Sequence, residues 1–217
     1  MTMTFIRNHQ YNLITRQVGL LQQAYDNVSD KKVINGVKNN IHARIIAAFP
    51  EATELQIEQL DQAAALSSND DCLQYLSSLK TNLIAFDTVT EKQIKKLFPK
   101  IKKLKVLDLE SIDYRYITYL GWTDIATNRL FIVYHLNGKL VGIEGRYTPL
   151  TKKSTCFLCN RPQEVALYSA ITKFKPTNAA SDYYKAIGNY MCVDSTTCNK
   201  HITDVAKLEK FITDVVG

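Results

Sequence analysis

Cys156 and Cys159 are separated by two residues, and some thirty positions further on Cys192 and Cys198 are separated by five. Two thiolates from a tight turn and two more from a second element can close a tetrahedral site around a zinc ion. With all four positions thiolate, the metal keeps no open coordination place, so such a zinc is structural rather than catalytic. Two other uses of cysteine compete with this one. As ordinary small buried hydrophobes, four of five cysteines would have no reason to fall in two pairs within the last 62 residues. A redox C-x-x-C normally opens a helix in a thioredoxin-like βαβ unit, and it leaves the second pair unexplained. His201, three residues past Cys198, is surplus to a ligand set that is already filled. Cys72 lies far away beside Leu73 and Leu76 and reads as a core residue of a helix.

Around the first pair, Ser154-Thr155 and Asn160-Arg161-Pro162 supply turn chemistry. Glu164–Ala170 and Tyr183–Met191 read as strands. A terminal helix is predicted from Thr196 to Val215, with Ile202, Val205, Leu208, Phe211 and Val215 on one face. A knuckle, a hairpin and a helix whose first turn brings the last ligand make a treble-clef arrangement over residues 151–217. In a subdomain of that size the zinc contributes much of the folding free energy.

Upstream, the period of apolar residues divides the chain. Residues 1–85 read as four amphipathic helices. Their stripes are Tyr11, Ile14, Val18, Leu21 and Tyr25; then Val33, Val37, Ile41 and Ile45; then Leu55, Leu60 and Ala64; then Leu73, Leu76, Leu79 and Leu83. Ser29-Asp30 and the Thr53/Gln56 capping box mark helix starts, and Pro50 marks a stop. Short joints make an antiparallel four-helix bundle the economical way to cover four stripes. Ala85–Val89 breaks the helical pattern. Thr90 and Gln93 then open a short helix ending near Phe98-Pro99, inside a run holding Lys95, Lys96, Lys100, Lys102, Lys103 and Lys105. Beyond it the period becomes two: Tyr116–Trp122, Arg129–Leu136 and Lys139–Tyr147 read as strands, the last two joined by an Asn137-Gly138 hairpin turn. Trp122 is expected to pack in the sheet. The predicted class is α+β: the helical bundle, then residues 86–217 as an α/β domain with antiparallel strands that ends in the four-cysteine treble clef.

Catalytic signals are missing. His9, His42, His135 and His201 are scattered, no phosphate-binding glycine loop is present, and the carboxylates form no evident pair. No catalytic residue is assigned and no small-molecule substrate is implied; the sequence favours a binding protein over an enzyme. The chain has 217 residues, 46% hydrophobic, with a formal charge of +6. Seven basic and eight acidic side chains give residues 1–85 a charge of −1, which leaves +7 on residues 86–217. That asymmetry points to the zinc-bearing half as the one that meets a partner, and an RNA-binding zinc protein using the lysine run is the competing reading. For the lysine run itself, a solvated helix face is the plain reading. No secretory leader and no apolar run long enough to span a bilayer are seen, so a cytoplasmic protein with reduced thiols and no membrane partner is expected. Nothing calls for an obligate dimer, and a monomer is expected.

Three segments carry a family resemblance when taken together and in order. They are His9-Gln10-Tyr11-Asn12-Leu13-Ile14, Leu120-Gly121-Trp122-Thr123-Asp124-Ile125-Ala126-Thr127-Asn128-Arg129 and Tyr190-Met191-Cys192-Val193-Asp194-Ser195-Thr196-Thr197-Cys198-Asn199-Lys200. The chain resembles the FusB/FusC-type fusidic acid resistance proteins over essentially its whole length. The resemblance implies zinc ligation by Cys156, Cys159, Cys192 and Cys198. It also implies binding of the C-terminal domains of elongation factor G, and release of that factor from ribosomes on which the drug has trapped it. The ribosome is then an indirect partner, and the drug is neither modified nor exported. Tyr190 and Phe211 match aromatic contact positions of the family. Thr155 stands where the family has an aromatic residue, and Ile187 where it has a lysine, with Lys185 close by. Core packing competes with partner contact for Phe211, and strand-face packing does so for Tyr190.

Overall fold

Nearly every helix of the N-terminal half begins where a polar side chain can answer the free N–H groups of its first turn. The computed structural model describes residues 4–174, 176–178, 180 and 183–217. It divides into two units, Met1–Ile84 and Ala85–Gly217.

In the first unit, α1 (Asn8–Asn27), α2 (Lys31–Ala47), α3 (Glu54–Ala65) and α4 (Asn69–Leu79) follow one another through short joints. The Asp30 carboxylate accepts the Lys32 N–H at 2.8 Å to start α2. Thr53 and Gln56 cap one another reciprocally at the head of α3. The head of α4 is capped in the same way by Ser68 and Asp71. Helix α1 packs against α2 and α4, and α2 against α3. The core holds Ile14, Val18, Leu21, Ile41, Ile45, Leu60, Cys72, Tyr75 and Leu79.

Two predicted stripes are rotated from their expected positions. Leu55 is 74% exposed and Ala64 is also exposed; α3 turns Leu60 and Ala63 inward instead. Five residues span about 140° around a helix, so Leu55 and Leu60 cannot share a face, whereas Leu60 and Ala63 lie about 60° apart. In α4 the buried line is Cys72, Tyr75 and Leu79, while Leu73 is 61% exposed. Val33, at the start of α2, is also exposed. Leu83 falls outside α4 and pairs as an isolated bridge with Ile6, because the chain has left the helix through a 3-10 turn at Lys80–Asn82.

In the second unit, α5 (Glu91–Leu97) precedes β1 (Leu120–Asp124), β2 (Arg129–Leu136) and β3 (Lys139–Pro149). A small hairpin follows, β4 (Ser154–Thr155) with β5 (Pro162–Gln163), and then β6 (Val165–Ile171) and β7 (Ala186–Cys192). The five long strands form one antiparallel sheet in the order β1-β2-β3-β6-β7. Asn137 and Gly138 both take positive φ, 50° and 74°, as a two-residue hairpin between right-twisted strands needs. One sheet face carries Leu130, Ile132, Tyr134, Ile143, Tyr147 and Tyr168, in a core shared with Leu208, Phe211, Ile212 and Val215 of α7 (Ala206–Val216). On the other face, Leu120, Phe131 and Val133 meet Ile94 and Phe98 from the α5 segment, with Leu104. Trp122 stacks on Phe131 with ring centroids 5.0 Å apart, and its Nε1–H donates to the Lys105 carbonyl at 2.9 Å.

Three elements differ from the sequence reading, one of them β7, which begins at Ala186 rather than Tyr183. β1 begins at Leu120 rather than Tyr116, because Asp113 caps a 3-10 turn at Tyr114–Tyr116. The terminal helix is two helices, α6 (Ser195–Asn199) and α7. The N–H groups of His201 and Ile202 both return to the Cys198 carbonyl. The Asp204 carboxylate then accepts the Ala206 N–H at 2.9 Å and starts the chain in a new direction. Among the described residues no helix is long and apolar enough to cross a membrane.

Candidate metal centre

The β4–β5 hairpin is a knuckle with Cys156–Arg161 as its loop. Cys156 N–H donates to the Arg161 carbonyl at 3.0 Å and Asn160 N–H to the Cys156 carbonyl at 2.9 Å. Asn160 supplies the positive φ, 52°, that closes so tight a turn. Phe157 N–H donates to the Tyr190 carbonyl at 2.7 Å, which fastens the knuckle to β7. Cys192 is the last residue of β7. Two residues later the Asp194 carboxylate caps α6, accepting from Thr196 N–H at 2.9 Å and Thr197 N–H at 3.0 Å. One turn of helix then carries Cys198 to the knuckle.

All four sulfurs lie within 4.8 Å of one another, and all four cysteines are buried. The Cys156–Cys198 and Cys159–Cys192 sulfurs are 3.9 and 3.7 Å apart. A tetrahedron of thiolates about 2.3 Å from zinc has edges of about 3.8 Å. The donor set therefore fits one zinc ion. Cys156, accepting hydrogen bonds from Cys159, Cys192 and Cys198, is held far below the ordinary thiol range, while the same contacts push Cys192 and Cys198 far above it. Four thiols this close cannot all ionise in each other's presence alone; a divalent cation at their centre removes the conflict.

Residues with no metal-site signature complete the centre. Tyr119 is buried, and its hydroxyl is raised well above its usual range by desolvation first and then by the charge and hydrogen bond of Cys198. Asn199, next to the last cysteine, is 3% exposed and bonded to the backbone of Thr118 and Tyr119. The Ser195 hydroxyl donates to the Gly121 carbonyl at 2.6 Å. These contacts dock α6 on the start of β1. Their partners are about 75 to 80 positions apart, so only the adjacency of Asn199 to Cys198 could have drawn attention to them. His201 is exposed and is not among the clustered ligands. Cys72 is fully buried in α4, remote in sequence from the cluster.

The residues at the positions matched to the family's partner contacts occupy different settings. Tyr190 on β7 is 44% exposed and sits opposite Leu167 of β6, itself partly exposed. Thr155 and Lys185 are exposed, and Ile187 is half-buried. Phe211 is in the core at 3% exposure; its ring packs 5.7 Å from Tyr168 and edge-on to Phe157 at 6.4 Å.

A hairpin knuckle, a strand end and a short capped helix that share four buried thiols define a treble-clef zinc protein whose metal is structural. The FBP C-terminal treble-clef zinc-finger family matches residues 98–214. The family described as elongation factor G-binding protein, N-terminal, matches residues 5–87. The chain belongs to this family of proteins. Among solved structures it is similar to that of the fusidic acid resistance protein FusC, at 28% identity over 97% of each chain and a TM-score of 0.79. No curated protein matches the chain.

Proposed function

We propose that this protein is a non-catalytic translation accessory factor: it binds elongation factor G and promotes its release from the ribosome, relieving inhibition by fusidic acid. The observation that carries the reading is that two family matches, one named for elongation factor G binding, together span most of the chain, in the same order as the helical and zinc-bearing units. The full-length likeness to FusC supports the link to the drug. Cys156, Cys159, Cys192 and Cys198 hold the zinc, which fixes the knuckle against β7 and so fixes the surface around Tyr190. Tyr190, with Thr155, Ile187 and Lys185 nearby in the fold, meets the C-terminal domains of the factor. Phe211 acts from beneath by supporting Phe157. A few large side chains carry most of the energy of such a contact, and charge speeds encounter. Release follows if the protein binds the factor more tightly off the ribosome than on it, since only differential affinity can shift that equilibrium.

Calorimetry with purified elongation factor G, repeated at high salt and after nuclease treatment, tests the binding. A sedimentation assay with ribosomes, GDP and fusidic acid tests the release. A complex that survives nuclease and frees the factor from the ribosomal fraction is expected. No interaction with the purified factor overturns the proposal.

A further inference from the structure

We infer that the lysine-rich segment spanning residues 92–105 is a docking site for the phosphate backbone of RNA. Its apolar side chains are committed to the core: Ile94, Phe98 and Leu104 are buried, and Leu97 and Ile101 pack against the same cluster. All seven of its lysines, Lys92, Lys95, Lys96, Lys100, Lys102, Lys103 and Lys105, are exposed. The backbone beneath them is pinned. Ile101 N–H donates to the Phe98 carbonyl at 3.1 Å, and the Lys105 carbonyl accepts from Trp122. Gly142 on β3 lets the α5 segment lie close, since a Cβ there would come within 2.8 Å of Leu97 and Phe98 side chains. Lys92, Lys95 and Lys96 therefore project from α5, and Lys100, Lys102, Lys103 and Lys105 from the fixed track that follows it, rather than from a mobile tail.

Their charge is uncompensated. Among the described residues only Lys95 has an ion-pair partner, Glu91 at 2.6 Å, and the sequence holds no acidic residue between Glu91 and Asp108. So dense a single-sign patch raises the local concentration of polyanions. Three kinds of polyanion could answer it. Protein interfaces are depleted in lysine and anchored by aromatic residues or arginine, yet every aromatic and aliphatic side chain of this segment faces inward. A membrane surface needs an inserted apolar group or lipid beside the basic cluster, and the only exposed apolar residue of the segment is Pro99, with no aliphatic or aromatic side chain to insert. A phosphate backbone needs only spaced point charges, which is what lysine provides. The choice of RNA over DNA rests on the proposed action at the ribosome; the lysine site itself does not involve the surface around Tyr190.

The test is fluorescence anisotropy of a labelled 24-nucleotide RNA hairpin with the full zinc-loaded chain between 50 and 200 mM KCl. If about five phosphates are neutralised, affinity should fall roughly 100- to 500-fold over that range. The triple variant K100Q/K102Q/K103Q should lower the slope of log affinity against log salt by about two to three. The double variant K152Q/K153Q, which removes exposed lysines outside the segment, should leave it unchanged. Because the substituted side chains are exposed, both variants should keep the parent melting temperature. Absence of RNA binding at 50 mM KCl, or an unchanged slope in the triple variant, overturns the inference. Equal competition by polyglutamate or by phosphatidylserine vesicles at matched charge overturns the choice of occupant, as does tighter binding of a DNA hairpin of the same length. Elongation factor G binding is measured on the same variants. Its retention by the triple variant separates this site from the factor-binding surface; its loss with RNA binding intact assigns the lysines to the protein contact and overturns the inference.

Discussion

Asn199 and Tyr119 form a two-way amide pair: Tyr119 N–H donates to Asn199 Oδ1 at 3.2 Å, and Asn199 Nδ2–H donates to the Tyr119 carbonyl at 2.9 Å. The same Oδ1 accepts the Thr118 N–H at 2.7 Å. A side chain one residue beyond the last zinc-site cysteine thus acts as a strand partner for the approach to β1. Asn199→Ala strands two buried backbone donors and one acceptor, and should cost about 2–3 kcal/mol. Urea unfolding followed by tryptophan fluorescence, with Trp122 as the only tryptophan, measures it. A loss within experimental error of zero would show that water replaces the amide there.

Zinc removal should act on one half of the chain. Chelation, or Cys192→Ser, is expected to unfold the region from about residue 151 onward and abolish factor binding, while the helical signal of α1 to α4 persists. Structural zinc in isolated fingers contributes about 10–16 kcal/mol of apparent binding free energy, so no partly folded finger should remain. Metal analysis should return one zinc per chain. Persistence of the hairpin's NMR signals after chelation would contradict the structural role.

Tyr190 and Phe211 should separate by readout. Tyr190→Ala removes a partly exposed ring, and is expected to weaken elongation factor G binding roughly 30-fold or more with little change in melting temperature. Phe211→Ala leaves a hole beside Tyr168 and should cost about 3–5 kcal/mol of stability. Calorimetry and thermal melts on both variants decide it. Equal affinity loss with no loss of stability in Phe211→Ala would make that ring a direct contact.

Glycines offer a paired test of packing. A Cβ at Gly145 would meet the Ser169 carbonyl oxygen at 2.4 Å and the Tyr168 ring at 2.6 Å. Backbone cannot move aside cheaply, so Gly145→Ala should destabilise the sheet by about 1–3 kcal/mol or more. Gly19 in α1 and Gly36 in α2 have open space around the same added atom. Alanine there should stabilise by about 0.5–1 kcal/mol through helix propensity. Melting temperatures of the three single variants should move in opposite directions.

Asp71 predicts an acid response of the helical unit. Hydrogen bonds from the Ser67 hydroxyl, then from the Ser67 and Ser68 backbone, hold its carboxyl below the ordinary 3.8. A carboxyl depressed in the folded state contributes stability that is present above that value and is lost as pH falls through the folded one. Asp71→Asn should lower stability at neutral pH and flatten the acid limb below pH 3.8, as read by far-ultraviolet circular dichroism. Ser68→Ala, which removes the N-cap itself, should cost about 1 kcal/mol. Parallel acid limbs in parent and Asp71→Asn would contradict the assignment.

What the sequence alone determined here is whatever neighbours in the chain decide. The spacing of Cys156, Cys159, Cys192 and Cys198 announced a four-thiolate zinc site, because a tight turn and a second element each bring two thiolates together at short intervals. Thr53 with Gln56 and Thr90 with Gln93 announced helix starts, and Asn137-Gly138 a hairpin, since each device is satisfied within a few residues. Only the tertiary structure decided which side of α3 and α4 turned inward, because Leu55, Leu60, Leu73 and Tyr75 are all apolar enough and the packing partner chooses among them. It also set the break before α7, where Asp204 was one polar residue among several. It alone brought Tyr119, Gly121 and Thr118 to Ser195 and Asn199 across about 75 to 80 positions. It separated Tyr190, on an open strand face, from Phe211, under a knuckle, although both are aromatic residues on amphipathic elements. Local rules fix where a side chain can point; burial depends on what arrives from elsewhere in the chain.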